Sequence, residues 1–586
     1  MVRYKSIHDS FNARNLTISA LCEGFIVNDH FLKLSGPDHA IMVGPRGSGK
    51  TTLMKMLQVE ALSLWESDDA ETFRKKIDFT GVFIPTDRLW KMQYESIVGN
   101  NEWESARVDS LNSIFIYHVL ERFVLAVEYR SKRSLNDVRG FRRVNLSKKE
   151  EVSLVNDLAR SWRVKPKMLT LKGLALELAM SKHELSGFSL SAEREPEKEK
   201  KSPFFDIKNI AGLLDVSVKI VNSHIDEDGG KWCFLFDELE LAPESIVQPL
   251  INALRGGPED IILKLSLSPY HGDIKVTDNP NSPMDRQDHS FINLSSSNDR
   301  IGFEFSKKLC QKLFDRHGYS KTVESYFEEP KRKPNKIVFL ELEKKDPTFK
   351  DYLMRNNIDA TRLELYTEKN KLPIIRKVQF IAQLRNEFLS YEGRLKSKKR
   401  ALDYYAGFDK ICKAVEYNPR MLIGVFSMLL DAMVDNKISV SEQIKSLKEI
   451  LNSYSALLNT ISIEVAGSAS LLEMVDKLAI ALASYIKGGD FYSETYGYFC
   501  FHKDPGEEVK RAVGYALNSG AFVIDDSDAH LNGNIGDIES VRFRLSYIFS
   551  HKYGLVMSKP RELDFMKALS GDLMPNGLSP EQIKLL

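Results

Sequence analysis

Short apolar runs, each closed by a small or polar cluster, punctuate the first half of the chain: Ala40-Ile41-Met42-Val43, Phe79 to Thr86, Trp232 to Phe236, and Ile261 to Ser268. Runs of this kind mark strands buried on both faces of a parallel sheet. One more strand is expected around Phe291-Ile292-Asn293-Leu294. Between residues 90 and 225 the apolar spacing becomes that of a helix. Leu111, Ile114, Phe115, His118, Val119 and Phe123 form one stripe; Ile207, Ile210, Leu213, Leu214 and Val221 form another. A helical insertion between two strands of one sheet accounts for that stretch. Ser245–Leu254 reads as a helix ended by Gly256-Gly257-Pro258, and residues 375–485 are helical again. The last hundred residues change character. Gly506–Ser519 reads as a helix, Phe522-Val523-Ile524 as a strand, Asp525–Asp537 as a turn, and Val541 to Ile548 alternates like a strand. Glu193–Pro203 is charged and reads as a mobile loop, and residues 326–336 as an exposed linker.

The chemistry stands at the strand ends. Val43 is followed by Gly44-Pro45-Arg46-Gly47-Ser48-Gly49-Lys50-Thr51-Thr52. This is a phosphate-binding loop, GxxxxGK[ST], between a buried strand and a helix whose Leu53, Met54 and Leu57 have core-facing spacing. The glycines let backbone N–H groups wrap a phosphate, and the helix adds its positive end. Lys50 is placed to reach the β- and γ-phosphates of a nucleoside triphosphate, and the Thr51 hydroxyl to ligate Mg²⁺. The run Trp232 to Phe236 ends in Asp237-Glu238, a Walker B pattern. Asp237 would hold Mg²⁺, directly or through water, and Glu238 would orient or deprotonate the attacking water. Two solvated acids at a strand end would look the same in isolation; the loop upstream favours the catalytic reading. Ser266 or Ser268, at the end of the following strand, is placed either to sense the γ-phosphate or to cap the turn before Pro269. The histidines offer no comparable case: His118 sits on an apolar stripe and reads as a packed core residue.

Composition narrows the picture. A chain of 586 residues with 43% hydrophobic content has room for about two to four domains with their own cores. The net charge of +1 supplies no global field toward nucleic acid or membrane. Basic clusters are local, at Lys331-Arg332-Lys333 and Lys396 to Arg400, and read as solvated surface or as DNA contacts. Cys22, Cys233, Cys310, Cys412 and Cys500 show no metal-binding spacing, which argues against zinc and a disulfide framework and suits a reducing cytoplasm. No uninterrupted apolar run approaches the ~20 residues of a membrane span, and the N-terminal segment has no apolar signal core.

The segment Phe11-Asn12-Ala13-Arg14-Asn15, the phosphate loop, the Asp237-Glu238 pair and Tyr417-Asn418-Pro419-Arg420, which opens the helix Met421–Leu429, together resemble bacterial AAA+ ATPases of the origin-recognition-complex-like group. That group lies near the STAND signalling ATPases. The resemblance implies an α/β fold: a P-loop AAA+ core with a parallel sheet, large helical insertions, a helical lid and a C-terminal winged-helix-like region. It implies an N-terminal nucleotide-flanking arm over 1–39, a core over 40–310 with the insertion at about 90–225, an insertion and lid over 311–485, and the winged-helix-like region over 486–586. In such proteins the Asn-Pro-Arg turn starts a lid helix whose arginine, here Arg420, reaches the nucleotide as sensor 2; a surface arginine at a helix start is the plainer alternative. The implied cofactors are ATP and Mg²⁺. The implied partners are a protein or effector, with DNA and a homo-oligomer left open. Arg255 and Arg300 are the arginine-finger candidates, and neither stands in a diagnostic motif. The function expected is an ATP-hydrolysing switch in a DNA-associated or anti-phage defence role; the alternative is a ring-forming DNA-dependent motor or loader.

Overall fold

A computed structural model describes residues 16–87, 89–97, 104–135, 138–190, 205–271, 283–284, 287–295, 299–367, 369–390, 403–525, 538–558 and 561–570. Phe11–Asn15, the charged segment 193–203, the basic cluster 396–400 and most of the turn expected at 525–537 lie outside the described residues.

The expected strands form one parallel sheet. β1 (Ala40–Val43), β2 (Thr80–Pro85), β3 (Trp232–Asp237), β4 (Ile261–Leu267) and β5 (Ser290–Asn293) lie in the order β2-β3-β4-β1-β5. In register, Val43 stands beside Leu267, and Phe236 beside Leu265. The loops after β1, β3 and β4 therefore open at one edge, the carboxyl end of a parallel sheet, where such folds bind ligands. β4 separates β1 from β3, so the phosphate loop and the acid pair face each other across one strand.

Both sheet faces are covered, which is why the strands read as unbroken apolar runs. On one face Ile41, Val43, Val82, Ile84, Trp232, Phe234 and Phe236 pack against the insertion helices, including Glu104–Arg130 and Ile210–His224. On the other, Ala40, Met42, Cys233, Leu235 and Ile262 pack against the helices of residues 18–76. Complete burial of a side chain such as Phe234 stabilises the fold by roughly 1.5–3 kcal/mol. Over Arg107–Arg130 the helix Glu104–Arg130 has the length and apolarity of a membrane span, but 78% of the apolar window is buried inside the protein. His118 on this helix is buried. Desolvation, with Arg122 and Lys182 nearby, pushes its imidazole down to about 3, and the ring contacts the Pro85 carbonyl at 3.0 Å. It is a neutral core residue.

The second half of the chain is also mainly helical. The structure adds a small hairpin, β6 (Ser462–Val465) with β7 (Ser468–Ser470), that periodicity did not reveal. Helices Pro419–Asp431, Val440–Asn459 and Leu471–Lys487 share one apolar core with the C-terminal residues. Arg385 ties the helix Leu372–Phe388 to this body. Its guanidinium pairs with buried Asp346 at 2.5 Å and donates to the carbonyls of Ile486, Gly488 and Gly489 at the end of a neighbouring helix.

The helix Glu507–Ser519 precedes β9 (Phe522–Ile524), which pairs with β10 (Phe543–Leu545). β8 (Tyr496–Cys500) and β11 (Arg561–Asp564), not recognised in the sequence, complete a four-stranded sheet in the order β11-β8-β10-β9. β10 is shorter than the alternating run Val541 to Ile548. Ser546 ends it by capping a 3₁₀ turn over Tyr547–Phe549. Arg544, which alternation would turn toward solvent, is instead buried against Glu416.

Candidate nucleotide site

The phosphate loop joins β1 to the helix Lys50–Met56. Gly47 and Gly49 hold φ of 85° and 96°, left-handed values that a side chain rarely tolerates. At Gly47 the space is also taken: a Cβ there would lie 2.9 Å from Asn418 Oδ1 and 3.0 Å from Arg420 Cβ. Lys50 is buried, and its ammonium donates to the Gly44 carbonyl at 2.5 Å. Its carboxylate neighbour is Glu240, at 3.7 Å.

Across β4, the Thr51 hydroxyl donates to Asp237 Oδ2 at 2.7 Å. Asp237 is buried, and burial raises its carboxyl above the usual carboxylate range. Thr51, Lys50 and Ser266 favour its charged form, while Glu240 opposes it. Asp237 Oδ1 is buried with no hydrogen-bond partner at ordinary distance, and so are Ser48 Oγ and Glu240 Oε2. Buried polar atoms are almost always paired, so such atoms gathered at one strand-end cleft mark where ligand atoms belong. A hydroxyl and a carboxylate side by side, with an unfilled carboxylate oxygen, are hard oxygen donors that fit Mg²⁺.

Glu238 follows Asp237 in a left-handed conformation, φ 55° and ψ 43°. For a non-glycine residue that costs energy, a feature concentrated at functional sites. The kink starts the 3₁₀ turn Leu239–Leu241. Three residues after Asp237, Glu240 is carried by this turn back over the site. Nothing in the sequence pattern singles out Glu240.

Arg420 stands beside the loop, at the start of the helix Pro419–Asp431. The Asn418 side chain caps the helix Pro419–Asp431 by accepting from the Arg420 and Met421 N–H groups, and its amide donates to the Arg46 carbonyl at 3.1 Å. The Arg420 N–H reaches the Gly47 carbonyl at 3.4 Å, and the stem of its side chain runs beside Gly47. Pro45, Arg46, Ser48 and Thr52 complete the loop and the first turn of its helix. Of the sensor candidates, Ser266 neighbours Asp237, while Ser268 is buried one step beyond the end of β4. Arg255 and Arg300 are both exposed.

A five-stranded parallel sheet with a phosphate loop after β1 and an acid pair after β3 defines a P-loop AAA+ nucleotide-binding protein. The chain belongs to the ORC-CDC6-like family, whose model matches residues 6–565, nearly the whole length. Membership makes it an AAA+ ATPase, a class whose members bind ATP and use Mg²⁺. None of the curated proteins compared with it matches the chain.

Proposed function

We propose that the protein is an ATP-driven molecular switch in which the phosphate loop, the acid pair and the Asn418-Pro419-Arg420 turn read the nucleotide together. The observation that carries this reading is the docking of that turn on the loop, through the Arg46 and Gly47 carbonyls. Nucleotide arriving at the loop must therefore meet the residues that start the helix Pro419–Asp431. A switch needs contacts that differ between states, and the γ-phosphate supplies them.

In this reading the backbone N–H groups of residues 46–52 cradle the phosphates and Lys50 binds their β- and γ-oxygens. Thr51 and Asp237 would hold Mg²⁺, which supplies positive charge to the same phosphates. Glu238 orients the attacking water and takes its proton, and Arg420 senses the nucleotide from the lid. The C-terminal region, winged-helix-like in its helix and β9–β10 pair, and the helical insertions offer surfaces to a protein partner. DNA association or a role in anti-phage defence rests on family likeness alone.

Glu238→Gln should retain ATP binding while hydrolysis falls by about 10²-fold or more, the scale of a lost general base. Phosphate release at saturating ATP measures this, and a parent-like rate would remove Glu238 from the role. Glu240→Gln should tighten ATP binding by roughly fivefold, because it removes a carboxylate that competes for Lys50 and would repel the γ-phosphate. Titration with a fluorescent ATP analogue reads the difference; equal affinities would mean that the pair does not restrain Lys50.

The function is tested by measuring ATP hydrolysis with and without double-stranded DNA, together with the mass of the assembly. Slow turnover indifferent to DNA supports the switch. Strong stimulation with a larger assembly would replace it with a ring-forming motor or loader.

A further inference from the structure

The phosphate loop is gripped from outside by the C-terminal segment as well as by the Asn-Pro-Arg turn. The helix Glu507–Ser519 ends at Gly520, φ 86°. The last carbonyls of a helix have no partners within it, and here other elements supply them. The Arg46 N–H donates to the Asn518 carbonyl at 2.9 Å, and the Tyr454 hydroxyl to the Ser519 carbonyl at 3.1 Å. The Asn518 side chain reaches the other wall of the site, just past β4. Its amide donates to the Tyr270 carbonyl at 2.8 Å, and its oxygen accepts from the Tyr270 N–H at 2.8 Å. The Tyr270 ring lies against the same helix at Gly514, where a Cβ would come within 2.0 Å of it. One residue thus joins the loop after β1 to the chain after β4.

We propose that Asn518 is a positioning residue that couples the nucleotide site to the C-terminal segment, with a negative sign: the docked segment opposes ATP, and bound ATP loosens the segment. The inference rests on the nucleotide reading given above. Its physical ground is electrostatic. A helix C-terminus carries partial negative charge, and this one abuts the outer side of the loop that must hold a triphosphate. The two negative groups act on one short backbone segment. The loop's Arg46 N–H is turned to the helix end and is not available to phosphate while the segment is docked. Coupling between sites is reciprocal, so weakening the docking must raise ATP affinity by the factor by which ATP weakens the docking.

The sign separates this role from a merely structural one, since simple damage to the site would weaken ATP binding. Asn518→Ala removes both side-chain bonds to Tyr270 and keeps the backbone carbonyl. It should bind a non-hydrolysable ATP analogue with Mg²⁺ about fivefold tighter than the parent, the lower end of usual coupling factors. Gly514→Ala, which pushes on Tyr270 from the helix side, should shift affinity in the same direction. Amide hydrogen exchange on the parent protein tests the same coupling without a variant: adding the analogue should protect residues 44–51 and increase exchange at 516–524. Protection at 44–51 with unchanged or slowed exchange at 516–524 would overturn the proposal and leave the nucleotide reading standing. Unchanged or weaker affinity in a folded Asn518→Ala would do the same. No response at 44–51 in the parent would remove the nucleotide reading, and the coupling with it.

Discussion

Lys50→Ala should lower ATP affinity by about 10- to 100-fold while leaving the protein folded. A hydrogen bond to a charged group contributes about 1.5–3 kcal/mol, and Lys50 is the cation that the loop itself places among the phosphates. Its surroundings explain why folding should survive. The ammonium holds the Gly44 carbonyl and lies 3.7 Å from Glu240, so its removal exposes one carbonyl to a ligand cleft and leaves one carboxylate, 20% exposed, without its partner. That residual cost, on the order of 1 kcal/mol for a partly exposed pair, should disappear in Lys50→Ala/Glu240→Gln. The double variant should regain stability and still bind ATP weakly. Calorimetric titration with ATP and Mg²⁺, alongside thermal melting, separates the two effects. Parent-like affinity in Lys50→Ala would remove the phosphate-loop assignment.

The largest effect on stability is expected at Arg544. Its guanidinium meets both oxygens of Glu416, at 2.7 and 2.9 Å, and lies over the Tyr547 ring at 3.8 Å. The arginine is buried, and Glu416 alongside holds its charged form well above the usual range despite the desolvation. Arg544→Ala leaves the Glu416 carboxylate with the Tyr547 N–H, at 2.6 Å, but without a counter-charge. Breaking such a buried pair from one side costs about 3–5 kcal/mol, a large part of the stability of a typical domain. The consequence reaches the nucleotide site. Glu416 and Tyr417 are both left-handed, φ 56° and 53°, and they lead directly into Asn418-Pro419-Arg420. The pair holds that strained turn in place, together with the bond from the Tyr417 hydroxyl to Asp299. Arg544→Ala should therefore lower the denaturation midpoint sharply and weaken the lid contact. Arg544→Met/Glu416→Gln, which removes both charges, should recover most of the loss. A shift below about 1 kcal/mol in Arg544→Ala would mean the pair does not hold the turn.

Much of the fold was legible because the sheet is buried on both faces. A parallel strand covered on each side is apolar at nearly every position, as Trp232 to Phe236 shows; buried Lys264 in β4 is an exception, its ammonium donating to the Gly36 and Asp38 carbonyls. The glycine-rich turn after β1 was equally legible, because Gly47 and Gly49 hold left-handed φ values that few residue types tolerate. β8 and β11 escaped notice because each is short and draws its pairing from residues distant in the chain. The burial of Arg544 was not legible, because alternation cannot show that Glu416 waits on the other side.

The sequence by itself determined the class of protein and the strands of the parallel sheet. Burial and phosphate chemistry are properties of local runs, and such runs can be read one at a time. Only the tertiary structure decided that Glu240 folds back toward Lys50, that Asn418 and Asn518 grip the loop from two sides, and that Arg544 anchors the lid turn. Each of these depends on a backbone kink, or on a pairing between residues more than a hundred positions apart, and no local period encodes a meeting at that distance.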